Sequence, residues 1–338
     1  MDYVNNKKRV SILSPCYRGE PYLELFLENM AQQTIFDQCE IVLDHNEPSA
    51  KELEIVKNFQ KAYLNSLIHN IVNKVVPVSL SFNNCIDLST GQYLCVGNVD
   101  DHRTPNSIKM LCETLDNNPH VDFTYGDFIV VDSLGKKSGL IIETVKYNKD
   151  EFMRGYLIGP FYMFRRNVIP KVGYVDEQWK ACADYDFAIR LALSCAGAKT
   201  QGNLGYYLNI GQGATQGGGH VPKNIQPIER TAIELRYGLY DKTMELKGYP
   251  YVHAARRYRL DYVLIHGKWQ PLEKYVPNYR KMLSEREFLR KAFEKEYRKW
   301  LVRHYSDVPN RTMDAMKWSL TKMRLLEKVR HLKENILS

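Results

Sequence analysis

Between residues 9 and 101, short β-rich apolar runs alternate with stretches of helical periodicity, and this rhythm constrains the fold more than any other feature of the chain. Arg9-Val10-Ser11-Ile12-Leu13-Ser14-Pro15 reads as a strand stopped by proline, with a loop at Cys16–Pro21 after it. From Tyr22 to Gln33 the apolar residues Leu23, Phe26, Leu27 and Met30 recur at the spacing of a helix with one buried face. Glu40–Asp44 is a second strand, followed by a polar loop His45–Ser49 and a helix over Ala50–Leu64. Ile68–Val76 is β-branched and predicts a third strand. Leu80–Leu88 predicts a helix closed by Thr90-Gly91, and the next strand begins at Tyr93. Strand and helix in alternation argue for an α/β fold with a mainly parallel sheet.

Open sheets of this kind bind ligands outside the carboxyl ends of their strands. Three polar loops, Pro15–Glu20, Asp44–Glu47 and Asn98–Asp101, follow strands and would converge at that edge. In the third, the apolar run Tyr93–Val99 ends abruptly in Asp100 and Asp101. Adjacent carboxylates repel unless a cation or donor hydrogens fill the gap between them. The spacing Asn98-x-Asp100 suits a divalent metal carrying a diphosphate. It also suits a turn in which Asp101 or Thr104 caps the next helix, with no metal. No G-x-G-x-x-G follows the first strand and no G-x-x-x-x-G-K-[ST] occurs, which disfavours a dinucleotide site or P-loop.

At 338 residues the chain suits one large domain with an appendage, or two domains. The N-terminus has no apolar signal core, and no window holds eighteen uninterrupted apolar residues, so a cytoplasmic protein is expected. All seven cysteines lie in the first 200 residues without a C-x-x-C pair, and read as small buried hydrophobes in a reducing compartment. The net charge of +8 conceals a split. After residue 220 there are 26 basic against 14 acidic residues, which leaves 21 against 25 before it. The boundary is expected near Gly217-Gly218-Gly219, dividing the chain into 1–220 and a basic helical region 221–338.

A resemblance rests on five ordered motifs. They are Ser14-Pro15-Cys16-Tyr17, Ile41-Val42-Leu43-Asp44, Ser81-Phe82-Asn83-Asn84-Cys85-Ile86, Thr90-Gly91-Gln92-Tyr93 and Asn98-Val99-Asp100-Asp101. Together they resemble the donor half of family 2 glycosyltransferases of the GT-A fold, whose usual elements are P-x-Y, V-D-D, A-R-N-x-G-I, A-T-G-E-Y and D-A-D-D. Further on, Met163–Val168 with Gly173-Tyr174-Val175-Asp176-Glu177 is similar to that family's acceptor-side strand and G-G-F-D-E turn. Ala183-Asp184-Tyr185-Asp186 with Arg190-Leu191 resembles its E-D-x-D-L-x-x-R-L helix start. The resemblance covers roughly residues 9–215. It implies a Rossmann-like, mixed but mainly parallel sheet flanked by helices, with a donor half at about 1–105, an acceptor half at 106–220 and a helical C-terminal extension.

Carried onto these positions, the resemblance implies that Pro15, Tyr17 and Asp44 hold the nucleobase of a uridine-linked nucleotide-sugar, with Glu20 in the same donor loop. Asn83 would lie near the ribose or diphosphate, and Asn98 would contact the ribose. Asp100 would bind Mn²⁺ or Mg²⁺, with Asp101 orienting it. Asp184 would be the general base of an inverting transfer, a reaction that needs one carboxylate to deprotonate the attacking hydroxyl. Several positions depart from the family pattern. Asn98 replaces a carboxylate, Phe82 an arginine and Ala183 a glutamate. The family's usual histidine is missing from Leu208–Gly213, and His220 stands as its substitute on the metal. These losses suit either an unusual donor or a non-catalytic nucleotide-sugar-binding scaffold.

Blander readings exist for the same residues. Asp184 also suits an N-cap of a helix over Tyr185–Cys195, and Asp186 with Arg190 suits a surface i,i+4 pair. Gly155–Pro160 suits either a turn or close approach of an acceptor sugar. Ile228–Leu246 and Val252–His266 read as helical, as do Lys281–Tyr305 and Thr312–Leu337. The apolar stripe of the last helix suits packing against the first domain or a second copy of the chain. The basic surface suits the inner face of an anionic membrane, where lipid-linked acceptors reside, or nucleic acid. The acceptor expected from the resemblance is a cell-surface glycan or lipid-linked saccharide; the alternative is a modified base on nucleic acid.

Overall fold

The structure, a computed structural model, describes residues 8–210, 225–239, 254–255 and 257–284. Two compact units divide the chain, Met1–Arg286 and Glu287–Ser338, and all described residues fall in the first. His220, the glycine run 217–219, the Thr312–Leu337 stripe and all but the first four residues of the expected Lys281–Tyr305 helix lie outside the described residues.

The first four strands are β1 (Val10–Tyr17), β2 (Cys39–Asn46), β3 (Leu67–Val72) and β4 (Tyr93–Val96). They alternate with α1 (Leu23–Ala31), α2 (Ala50–Ala62) and α3 (Val78–Leu88). All pair in parallel in the order β3-β2-β1-β4. The α1 stripe is buried as its spacing predicts, at Leu23, Phe26, Leu27 and Met30. It packs with Val10, Ile12, Ile41 and Leu43 of the sheet in one apolar core. Ser49 begins α2 in a capping box with Glu52.

Pro15 does not stop β1, which runs on to Tyr17. The ladder to β2 continues through Tyr17, whereas that to β4 ends at Leu13. The Leu13 carbonyl accepts from Gly97 on the β4 side. Pro15, two residues on, points the same way, where no strand remains to need its missing N–H.

The second half is mixed. β5 (His102–Arg103), α4 (Ser107–Asn117), β6 (Phe123–Val131), β7 (Leu140–Ile142) and α5 (Lys149–Arg154) come first. Then follow β8 (Tyr162–Arg165), α6 (Ile169–Val172), α7 (Ala183–Ser194) and β9 (Gly197–Leu208). Antiparallel β8 joins β4 to β6, so one sheet continues as β4-β8-β6-β9-β5, with β7 paired to β6. This places the loop after β4 against the end of β9.

Beyond residue 224, α8 (Ile225–Tyr237) stops at Gly238, whose φ of +66° suits glycine. The expected helix over Val252–His266 is overturned at its C-terminal end. Tyr262–Ile265 is β10, which forms a hairpin with β11 (Lys268–Pro271) around His266-Gly267, both at positive φ. Alternating burial in β10 marks the period of two that the longer helical window obscured.

Candidate active site

The Asp100–Asp101 pair emerges directly from the sheet. Gly97 follows β4, and a Cβ there would lie 2.4 Å from Ile12 and 2.8 Å from the Ser14 hydroxyl, so only glycine lets the loop leave so close to β1. Asp101 is buried and accepts from Asn98 Nδ2 at 2.8 Å and from the Leu208 N–H at 3.1 Å. The turn is therefore tied to the end of β9. Neither Asp101 nor Thr104 supplies a side-chain cap to α4; its cap position is Asn106, which makes no such bond either. Asn98 is half-buried and spends its amide on Asp101.

Burial raises the Asp100 pKa, and burial followed by the Asp100 charge pushes Asp101 up to about 8. The buried cation Arg103 offsets the Asp101 charge only in part. Arg103 donates to the Val96 carbonyl and to Ser107, and lies over the Phe161 ring. Two adjacent carboxylates pushed toward protonation by the protein around them, the second also by the first, are a donor set that fits a hard divalent cation.

Asp184 lies in the first turn of α7, whose cap position is Cys182, and its Oδ1 accepts from the Tyr185 N–H at 2.8 Å. Its carboxylate is open to solvent on one side and crowded by protein on the others. That crowding raises its pKa to about 6 against the opposing hydrogen bonds from Tyr185 and Tyr156. The Tyr156 hydroxyl donates to the Gly159 carbonyl at 3.1 Å and lies near enough to Asp184 for each to shift the other's pKa. Tyr207 on β9 feels the charges of Asp101, Asp100 and Asp184 together, and after burial these raise its pKa. One tyrosine thus lies within the electrostatic reach of both the β4 turn and the α7 carboxylate Asp184.

The loop before α7 is held from a distance. Glu229 of α8, fully buried, accepts from the N–H groups of Lys180, Ala181 and Cys182 at 2.8–3.0 Å. Deeper in α7, Asp186 and Arg190 are fully buried, which corrects the expected surface pair. Asp186 also accepts from Arg236 at 2.6 Å and Tyr237 at 2.8 Å, while Arg236 reaches Asp176 at 2.9 Å. Glu229, Tyr156, Tyr207 and Arg236 all escaped the sequence reading. Tyr156 sits in the flagged Gly155–Pro160 loop; the others carry no local motif.

The donor-side residues divide. Asp44 is fully buried and accepts from Ser81, from Asn70, from Asn84 at 3.2 Å and from Asn46 at 3.4 Å, so all its acceptor capacity is in use. A nucleobase N–H would have to displace one of these donors. Asn83 is corrected: it is fully buried, and both amide hydrogens go to Val175 O and Glu177 Oε1 at 2.9 Å, so it clamps α3 to the following turn rather than facing a ribose. Its neighbour Asn84 faces the Asp44 cluster instead. Tyr17 ends β1 beneath the Arg18 guanidinium, 5.1 Å from its ring centroid, and Arg18 holds a positive φ of 52°. Glu20 is exposed and pairs with Lys51 and Ser49 at the start of α2, both at 3.1 Å. Pro15 sits in β1 in register with Asp44.

Residues 11–173 match the family model described as Glycosyl transferase family 2. An uncharacterized glycosyltransferase of Methanocaldococcus jannaschii is 26% identical over 195 residues, 55% of this chain and 65% of the relative. The processive diacylglycerol beta-glycosyltransferase of Mycoplasma pneumoniae is 31% identical over 110 residues, 32% of each chain. The chain thus spans less than two thirds of the length of the curated relatives it matches. Among solved structures, S. aureus TarS 1-349 in complex with UDP-GlcNAc superposes with a TM-score of 0.54 at 14% identity, covering 86% of this chain and 92% of that one. The fold is the GT-A arrangement, a mixed α/β sheet whose first half is wholly parallel. Among the described residues, no helix is long and apolar enough to cross a membrane.

Proposed function

We propose that this chain is a metal-dependent glycosyltransferase that moves a sugar from a uridine-linked nucleotide-sugar to a hydroxyl of a glycan or lipid-linked saccharide, with inversion. The match of residues 11–173 to the glycosyl transferase family supports the activity. The UDP-GlcNAc bound by TarS supports the donor class. The observation that carries the reading is Asp184, a carboxylate with its pKa raised to about 6, sharing the surroundings of Tyr207 with Asp100 and Asp101.

Asp184 accepts the proton of the attacking hydroxyl as the new C–O bond forms and the bond to the leaving diphosphate breaks on the opposite face. A base whose pKa lies just below neutrality is ionised at working pH yet basic enough to take a proton in the transition state. The Tyr185 N–H orients that carboxylate, Tyr156 stands beside it, and Glu229 fixes the turn that carries it. Asp100 would hold Mn²⁺ or Mg²⁺, with Asp101 orienting Asp100 and bonded in turn by Asn98 and the Leu208 N–H. Such an ion neutralises charge on the diphosphate. The donor side would be Tyr17, Pro15 and the Asp44 cluster, with Asn84 the helix residue nearest it.

The test is Asp184→Asn with UDP-sugars and saccharide acceptors. The expected outcome is loss of transfer with donor affinity retained, read by calorimetry; transfer at the native rate would overturn the reading.

A further inference from the structure

Outside this space, on the face of the sheet covered by α1 and α2, three metal-ligating side chains meet. The parallel register of β1 and β2 sets Cys16 directly beside His45. The first turn of α2 lowers Glu52 onto the pair. One atom from each, Cys16 Sγ, a His45 ring nitrogen and a Glu52 oxygen, all lie within 4.8 Å of one another. All three residues are at least 98% buried. Two of the ligand atoms, His45 Nε2 and Glu52 Oε1, are out of reach of water and have only each other among the described residues, as a long ion pair at 3.5 Å, with no close hydrogen-bond partner.

Native proteins rarely leave buried polar atoms with so long a single contact, and an ionised carboxylate in so closed a place is costly. The rest of the cluster is satisfied in a way that frees these atoms. Glu52 Oε2 is taken by the Ser49 N–H at 2.6 Å, which leaves Oε1 aimed inward. His45 Nδ1 lies 3.2 Å from His69 Nε2, which leaves Nε2 aimed inward. Gly19 keeps the pocket open: a Cβ there would lie 2.5 Å from Cys16 Sγ.

We propose that Cys16, His45 and Glu52 form a zinc site distinct from the Asp100–Asp101 turn. Thiolate and imidazole select a borderline-soft ion over Mg²⁺ or Mn²⁺. Zinc bound at about 2.0–2.3 Å in tetrahedral geometry places neighbouring ligand atoms about 3.4 Å apart, close to the 3.5 Å between Nε2 and Oε1. The thiol loses its proton to solvent as the S–Zn bond forms, and Zn²⁺ with one thiolate, one carboxylate and a neutral imidazole has no net charge. His69 Nε2 would accept from the His45 Nδ1–H, fixing the tautomer that offers Nε2 to the metal. A water carried in with the ion would take the fourth position. The ion would pin the ends of β1 and β2 to the start of α2, immediately beside Tyr17 and Asp44. The site does not depend on the transfer reading.

The experiment strips the full-length protein with chelator, dialyses it and titrates it with Zn²⁺ and Co²⁺ alone. Wild type is expected to retain one Zn²⁺ per chain and, with Co²⁺, to show a thiolate-to-cobalt charge-transfer band. Cys16→Ser should lose the band and the zinc, His69→Ala should weaken binding roughly 10–100-fold, and Asp100→Ala should change neither. Absence of the band in wild type overturns the proposal, as does its survival in Cys16→Ser. If Cys16→Ser does not fold, His45→Gln serves in its place, and an undiminished band there overturns the proposal equally.

Discussion

Two pairs of aspartates in this molecule share chemistry but not company, one pair fully buried and the other with Asp101 buried and Asp100 half-buried. Asp176 and Asp186 meet two guanidiniums, with Arg236 touching both and Arg190 bonded to Asp186 at 2.9 Å. Asp186, which has both cations, is held below the ordinary carboxylate range despite the cost of its burial; Asp176, which shares Arg236 and also feels Asp186, stays above it. Asp100 and Asp101 have no such cations, and both rise. The first pair is finished by the protein and can only hold α7 to α8. The second is left electrostatically open, and an open buried charge is where a ligand contributes most. Asp184 belongs with the second pair, since the protein crowding it raises its pKa with no cation among the described residues to offset the rise, although the residue itself is exposed.

Breaking the contrast at its open end should have the largest effect. Asp184→Asn is expected to lower the transfer rate by roughly 10²–10⁴-fold, the range for a lost general base, with unfolding unchanged in denaturant titrations. At the closed end, Arg236→Met strands Asp176 and leaves Asp186 with Arg190 alone, and should cost about 3–5 kcal/mol in urea unfolding. Much of that loss should return on combining it with Asp176→Asn. If Arg236→Met is neutral, the network is not what secures α7 to α8.

Ligand linkage sharpens the contrast further. Mn²⁺ at a hundredfold excess over its Kd should stabilise wild type by about 2.7 kcal/mol, and Asp100→Ala should abolish that gain in thermal melts. The pH dependence of the metal-free protein follows from sign. Asp101 binds its proton more tightly when folded, so stability is lost as pH rises from the ordinary carboxylate range through about 8. Asp101→Asn should flatten this slope between pH 4 and 8, the window set by the shift to about 8, and an unaltered slope would remove Asp101 as its source. The smallest effect is kinetic. Transfer should fall through half its plateau near pH 6, where Asp184 takes up its proton, and a pH-rate profile checks this.

The parallel half was legible because each strand and helix is local. Leu23, Phe26, Leu27 and Met30 announce a buried face without reference to anything else in the chain. The strand-end carboxylates were legible for the same reason. Pro15 misled because its effect depends on where β4 ends, a fact held some 80 residues away in the sequence. Asp186 and Arg190 looked solvated because the cation that draws them inside, Arg236, lies in a different helix. Asn83 and Asn84 are adjacent, and only the docking of α3 against Val175 decides which of them clamps and which faces Asp44. Residues whose role is set by a distant partner carry no local signature.

The three N–H groups gathered by Glu229 bear on how such a chain could be recombined. Asp184, the proposed base, stands two residues beyond the last of them, so the turn that carries it is set by a carboxylate more than forty positions downstream. A chain cut after β9 and grafted to another tail would carry every recognisable motif and still misplace this carboxylate. Exchange of modules between relatives should succeed only where the incoming helix brings an acidic residue at this position, so inheritance of the front half and of α8 is coupled.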